Sequence, residues 1–140
     1  MKKPLSGIIP PLITPLLDND TIDVKGLECL IEHVINGGVH GIFILGTTGE
    51  AQSLSFELRT KMIKETSRIL KGRLPLWVGI SDTSISDSIA LSETAAKNNA
   101  YAAVSAPPYY YATSQPELLD YYGKLIPQLQ LPLFLYNMPM

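Results

Sequence analysis

The 140-residue sequence predicts an α/β fold built on a parallel sheet. Three observations predict it. Short apolar runs alternate with longer amphipathic segments. The alternation repeats roughly every 30 residues, the length of a βαβ unit. Polar, glycine-rich or aromatic motifs directly follow several of the apolar runs, and the C-terminal ends of parallel strands are where ligands usually bind.

The strand candidates are residues 6–9, 41–45, 76–80, 102–105 and 133–136. Four helical patterns lie between them. In the first, Leu27, Leu30, Ile31 and Val34 repeat at helical spacing behind Asp23 as cap, and Gly37 and Gly38 can end it. The second starts near Ser55, with Leu58, Met62, Ile63, Thr66, Ile69 and Leu70 on one side and Gly72 after it. The third covers about residues 86–98, with Ile89, Ala90, Leu91 and Ala96 as its apolar members. The fourth opens on Ser114-Gln115-Pro116-Glu117, a capping box with proline tolerated in the first turn. Its expected buried stripe is Leu118, Leu119, Tyr122, Leu125 and Ile126. Residues 1–140 read as one domain, with no linker or low-complexity tract. Counting strands alone favours an open five-stranded flavodoxin-like sheet over part of a (β/α)8 barrel, which needs about 250 residues.

Composition narrows function. A net charge of −2 with scattered lysines and arginines leaves no basic footprint for nucleic acid. No apolar stretch approaches the roughly 20 residues of a membrane span. Prolines and polar residues after Lys2 and Lys3 break up any signal-peptide core. The single cysteine, Cys29, excludes an internal disulfide and suits a reducing compartment, so the cytoplasm is expected. His33 and His40 have no Cys/His/Asp neighbours at metal-ligand spacing, so neither a metal nor a cofactor is expected. Trp77 reads as core.

Three motifs carry candidate chemistry. Gly46-Thr47-Thr48-Gly49-Glu50 follows the second strand candidate with two hydroxyls and several amide N–H groups, which suit a small carboxylate or phosphate. It matches neither a Walker A loop nor a dinucleotide fingerprint, and it also fits an ordinary βα turn. Pro107-Pro108-Tyr109-Tyr110-Tyr111 follows the fourth, as a pocket wall, a proton donor, a subunit anchor or an aromatic loop over the core. Tyr136-Asn137-Met138-Pro139 closes the fifth. A phenol of pKa about 10 is a poor base, but oriented by other hydroxyls it can relay a proton. In a parallel sheet the three motifs share one face, so Thr47, Tyr110 and Tyr136 can form a hydroxyl chain beside an anion pocket at Thr48.

These motifs, with the opening Gly7-Ile8-Ile9-Pro10-Pro11-Leu12-Ile13-Thr14-Pro15 and Asp23, resemble in order and spacing the dihydrodipicolinate synthase and N-acetylneuraminate lyase family over almost the whole chain. The resemblance implies a (β/α)8 barrel, of which this chain supplies about the first five strands and four helices. It implies a metal-independent class I aldolase or lyase that joins pyruvate to an aldehyde, or releases it, through a Schiff base. Thr47 and Thr48 resemble the residues holding the pyruvate carboxylate, and Tyr136 the proton-shuttling tyrosine. Thr47 would link Tyr136 to Tyr110, whose counterpart reaches into a neighbouring subunit, so a homotetramer built as a dimer of dimers is implied.

Two departures stand out. Tyr111 occupies the place where the synthases usually carry asparagine, more as in sugar-acid lyases. No lysine stands where the family's sixth-strand Schiff-base lysine belongs. Lys25, Lys61, Lys64, Lys71, Lys97 and Lys124 fall on helices or helix ends, and Lys2 and Lys3 at the N-terminus. The chain is therefore expected to be roughly the first half of such an enzyme, inactive alone, with an apolar edge at its last strand that invites association. The alternative is a non-catalytic half-barrel that keeps the carboxylate pocket. A flavodoxin-like nucleotide or signalling domain lacks the phosphate-loop glycines.

Overall fold

The apolar runs pair as their spacing demands. The computed structural model describes residues 6–137. Within it, β3 (Ile42–Ile44), β4 (Leu76–Gly79), β5 (Ala102–Ser105) and β6 (Leu133–Leu135) form one parallel sheet in chain order. The register aligns Ile42 with Leu76, Val78 with Ala103, and Val104 with Phe134. A helix crosses from each strand to the next: α2 (Phe56–Leu70), α3 (Ile85–Lys97) and α4 (Gln115–Leu125), with α1 (Val24–Asn36) preceding β3. The strands follow one another in chain order, as in a segment of a (β/α)8 barrel and unlike the flavodoxin-like sheet, whose order doubles back.

The first expected strand, residues 6–9, is not one. The segment lies along β3 but meets it in a single parallel bridge, Pro11 to Phe43. His40 donates its N–H to the Ile8 carbonyl at 2.8 Å, Phe43 to Pro10 at 3.1 Å, and Leu12 to Phe43 at 2.8 Å. Pro10 and Pro11 have no N–H to give, which confines the segment to an irregular edge. The sequence also hid a small antiparallel hairpin, β1 (Leu16–Asp18) with β2 (Thr21–Ile22). Its turn is closed by the Asp18 carboxylate, which accepts the Asp20 N–H at 2.9 Å.

Capping fixes where the helices start. Asp23 accepts the Gly26 N–H at 2.8 Å, Ser55 the Leu58 N–H at 3.1 Å, and Ser84 the Asp87 N–H at 3.3 Å. At α4 the Ser114 N–H and hydroxyl both go to the Glu117 carboxylate, at 2.7 and 2.6 Å. All six residues expected on the inner side of α2 are buried. Helix α3 starts one residue earlier than expected and buries Ser88, Leu91, Ser92 and Ala95, while Ile89, Ala90 and Ala96 are only half-buried. On α4 only Leu125 of the expected stripe is buried, and Leu119 is 77% exposed.

The sheet divides the apolar residues into two cores. Ile42, Ile44, Leu76, Val78 and Ala103 face the helices and join Leu27, Ile31, Met62, Ile63 and Leu91 in the larger core. Trp77, Ala102 and Val104 face the other way, with Ile9 and Phe43 packed on them. Trp77 is therefore core, with its ring 5.0 Å from Tyr101 and 6.3 Å from Phe134. Among the described residues β6 is the open edge, with Phe134 and Leu135 41% and 60% exposed. No helix among them is long and apolar enough to cross a membrane.

Candidate active site

The C-terminal ends of β3, β4, β5 and β6 enclose a cavity of about 260 Å³. Its apolar floor is the smaller core: Ile9, Phe43 and Val104. Its rim carries Thr47, Thr48, Gln52, Ser81 and Tyr136. An apolar well with a few polar groups at one end suits a small molecule with a polar head.

The threonine loop is bent into place at a conformational cost. Leu45, the last residue before Gly46, has φ 59°, and Glu50 has φ 54°. Each left-handed non-glycine residue costs about 1–3 kcal/mol and persists only when its surroundings enforce it. Two contacts do so. A side chain at Gly79 would overlap the Leu45 carbonyl oxygen, so only glycine on β4 lets the turned backbone approach. The Thr14 hydroxyl donates to the Gly49 carbonyl at 2.8 Å. Within the loop, Gly49 N–H reaches Gly46 O at 3.1 Å and Glu50 N–H reaches Thr47 O at 3.0 Å. The Thr47 and Thr48 N–H groups and hydroxyls have no acceptor among the described residues. Thr47 and Thr48 thus bring hydroxyl and N–H donors of the kind that suits an anion to the residues lining the cavity.

Tyr136 reaches the rim because its N–H extends the β5–β6 ladder by one bond, to Ser105 O at 2.9 Å. Its ring is half exposed beside the threonines. Tyr110 is elsewhere. It lies in a separate groove with Thr83, Pro108, Tyr109, Tyr111 and Thr113, and it is 84% exposed. Its φ is 91°, and its ring meets Tyr111 edge-on at 4.8 Å. The structure therefore brings Thr47, Thr48 and Tyr136 together and leaves Tyr110 facing outward. No hydrogen bond joins the Thr47, Tyr110 and Tyr136 side chains among the described residues.

Several site residues escaped the sequence reading. Gln52 and Ser81 line the cavity. Ser81 also accepts the Ala106 N–H at 2.8 Å, tying the β4 exit to the β5 exit. Arg59 and Asp82, the residue after Ser81, form a buried ion pair at 2.7 Å. Burial opposes ionisation of Asp82, but the Ser84 N–H and the Arg59 guanidinium outweigh it and hold the carboxyl below its ordinary value. Burial, reinforced by the Asp82 charge, pushes the Tyr109 phenol up. Burial also raises Tyr122. No lysine lines the cavity, and no trio of His, Cys, Asp or Glu is placed to hold a metal, among the described residues. His40 is structural: its Nδ1 accepts the Ile8 N–H at 3.0 Å.

Comparison with known proteins gives a consistent picture. The model of the dihydrodipicolinate synthetase family matches residues 4–140. The dihydrodipicolinate synthase structure from Bacteroides thetaiotaomicron is 66% identical with a TM-score of 0.94, covering 100% of this chain and 47% of that one. Among curated relatives, a 4-hydroxy-tetrahydrodipicolinate synthase from Polynucleobacter asymbioticus is 32% identical over 99% of this chain and 45% of its own length. An N-acetylneuraminate lyase from Rhizobium meliloti is 34% identical over 96% of this chain and 45% of its own. The chain thus spans about half the length of the relatives it matches.

Proposed function

Since the chain belongs to the dihydrodipicolinate synthetase family, we propose that it supplies the pyruvate clamp and proton relay of a Schiff-base aldolase or lyase. The observation that carries this is the meeting of Thr47, Thr48 and Tyr136 at one cavity rim. The free N–H and hydroxyl donors of the threonines hold the pyruvate carboxylate. That fixes the keto carbon for attack by a lysine amine, and a protonated Schiff base then serves as the electron sink for carbon–carbon bond formation or cleavage. Tyr136, next to the clamp, moves protons during imine formation and bond change. Tyr110 completes the relay from a neighbouring subunit of a dimer of dimers, in keeping with its outward, 84% exposed ring. Tyr111, where the synthases usually carry asparagine, speaks for an aldehyde of the sugar-acid lyase kind.

The lysine must come from outside residues 1–140. Borohydride reduction in the presence of pyruvate tests this. The full-length protein should trap one pyruvate per site, and the 140-residue chain none. A stoichiometric adduct on a lysine of this chain would overturn the assignment. Pyruvate binding by the 140-residue chain itself, with no trapping in any form of the protein, would favour the second reading, a non-catalytic carboxylate-binding half-barrel, for which the lysine-free cavity speaks.

A further inference from the structure

The Arg59–Asp82 pair is the one buried ion pair among the described residues, and the proposed chemistry does not use it. Arg59 and Asp82 are only 7% and 6% exposed. Arg59 projects from α2, the helix that follows the threonine loop, with its guanidinium 5.8 Å from the Phe56 ring centre. Its Nε is buried without an acceptor among the described residues. Asp82 stands in the loop from β4 to α3, where its other oxygen accepts the Ser84 N–H at 2.8 Å.

A buried pair of this kind is weak evidence for stability, because desolvating two charges offsets most of their attraction. What it does offer is a fixed geometry. From Asp82 the path continues through Ser81, one residue back, whose hydroxyl holds the Ala106 N–H at the start of the tyrosine loop. Thr83, one residue on, lines the groove with Tyr109 and Tyr110. The left-handed φ of Tyr110 is strain that a floppy support would release. The threonine loop, by contrast, is held by its own bonds and by Thr14.

We infer that Arg59 and Asp82 are positioning residues that brace the β4–α3 loop beneath the tyrosine loop and so hold Tyr110 in its strained, outward pose. This rests on the aldolase reading and adds to it a support for the relay that is separate from the carboxylate clamp. Losing the brace should therefore slow turnover and spare pyruvate binding.

The test uses the full-length protein. Arg59→Met with Asp82→Asn removes both charges together and keeps an oxygen acceptor for the Ser84 N–H. The double variant should show a kcat at least tenfold lower with a pyruvate KM within twofold of the parent. In a Tyr110→Phe background the same double change should lower kcat less than twofold. Arg59→Lys, which keeps the cation but not the planar fork, should fall between parent and double variant, and it provides the reading if the double variant does not fold. A kcat within twofold of the parent overturns the inference, as does an undiminished loss in the Tyr110→Phe background. Borohydride trapping of the parent runs alongside. A parent that traps no pyruvate defeats the aldolase reading and the brace with it. A trapping parent with an unimpaired variant defeats the brace alone.

Discussion

Helices α2 and α4 begin alike and end up very differently. Each starts from a serine and carries a glutamate in its first turn and an apolar stripe behind it. Helix α2 buries seven residues, including Arg59, while α4 buries only Leu125. The difference lies in the neighbours. Helix α2 packs between α1 and α3. Beyond α4 and β6 no element follows among the described residues, and Leu119 and Ile126 stay 77% and 50% exposed. A stripe states that a helix can be buried, and the topology decides whether it is.

The largest effect that would sharpen this contrast is at the centre of α2. Met62 is fully buried, so Met62→Ala should cost about 2–5 kcal/mol in thermal or urea unfolding. A loss under about 1 kcal/mol would show that the α2 core is loosely packed. A smaller effect is expected at the caps. Ser55→Ala should cost about 0.5–2 kcal/mol, and Ser114→Ala should lie at the low end of that range because its helix has less tertiary support. Equal losses at the two caps would break the comparison.

Acid should act on both helices. Asp82 behind α2 and Glu117 at the start of α4 are both held below their ordinary values, Glu117 by the Ser114 hydroxyl and N–H. A carboxyl with a lowered folded pKa stabilises above its unfolded value, near 4, and that contribution is lost as pH falls through the folded value. The melting temperature should therefore drop below about pH 4, and Asp82→Asn should flatten the drop. An unchanged acid slope in that variant would remove Asp82 from the account. The smallest effect is expected on the outer face of α4. Leu119→Ala in the 140-residue chain should stay within about 0.5 kcal/mol. The same change in the full-length protein should cost several times more if the remaining half packs over α4.

Much of this arrangement is legible in the amino acids. The run 102–105 forms its strand to the residue, and the α2 stripe is buried as its spacing requires. The threonine loop and Tyr136 reach one rim because parallel strands align their ends. Other features needed the third dimension. Gly7, Ile8 and Ile9 look like a strand until Pro10 and Pro11 withhold their donors. The β1–β2 hairpin is too short to leave a period, and only Asp18-Asn19-Asp20 marks its turn. Helix α3 buries Ser88 and Ser92, which no apolar count selects. Arg59 and Asp82 stand 23 positions apart, and nothing in the sequence pairs them. That Tyr110 faces away from Thr47 follows from the path of its own loop, which strand spacing does not encode.

The order of the sheet has a consequence for how the chain is made. Strands β3, β4, β5 and β6 sit side by side in the order of translation, and the segment at Pro11 lies against β3 before them all. Each new strand finds its partner already emerged, about one βαβ unit earlier. A ribosome working at roughly 5–20 residues per second presents such a unit every few seconds. The growing polypeptide can therefore dock one unit at a time onto a finished edge, and each completed edge is the template that the next unit needs.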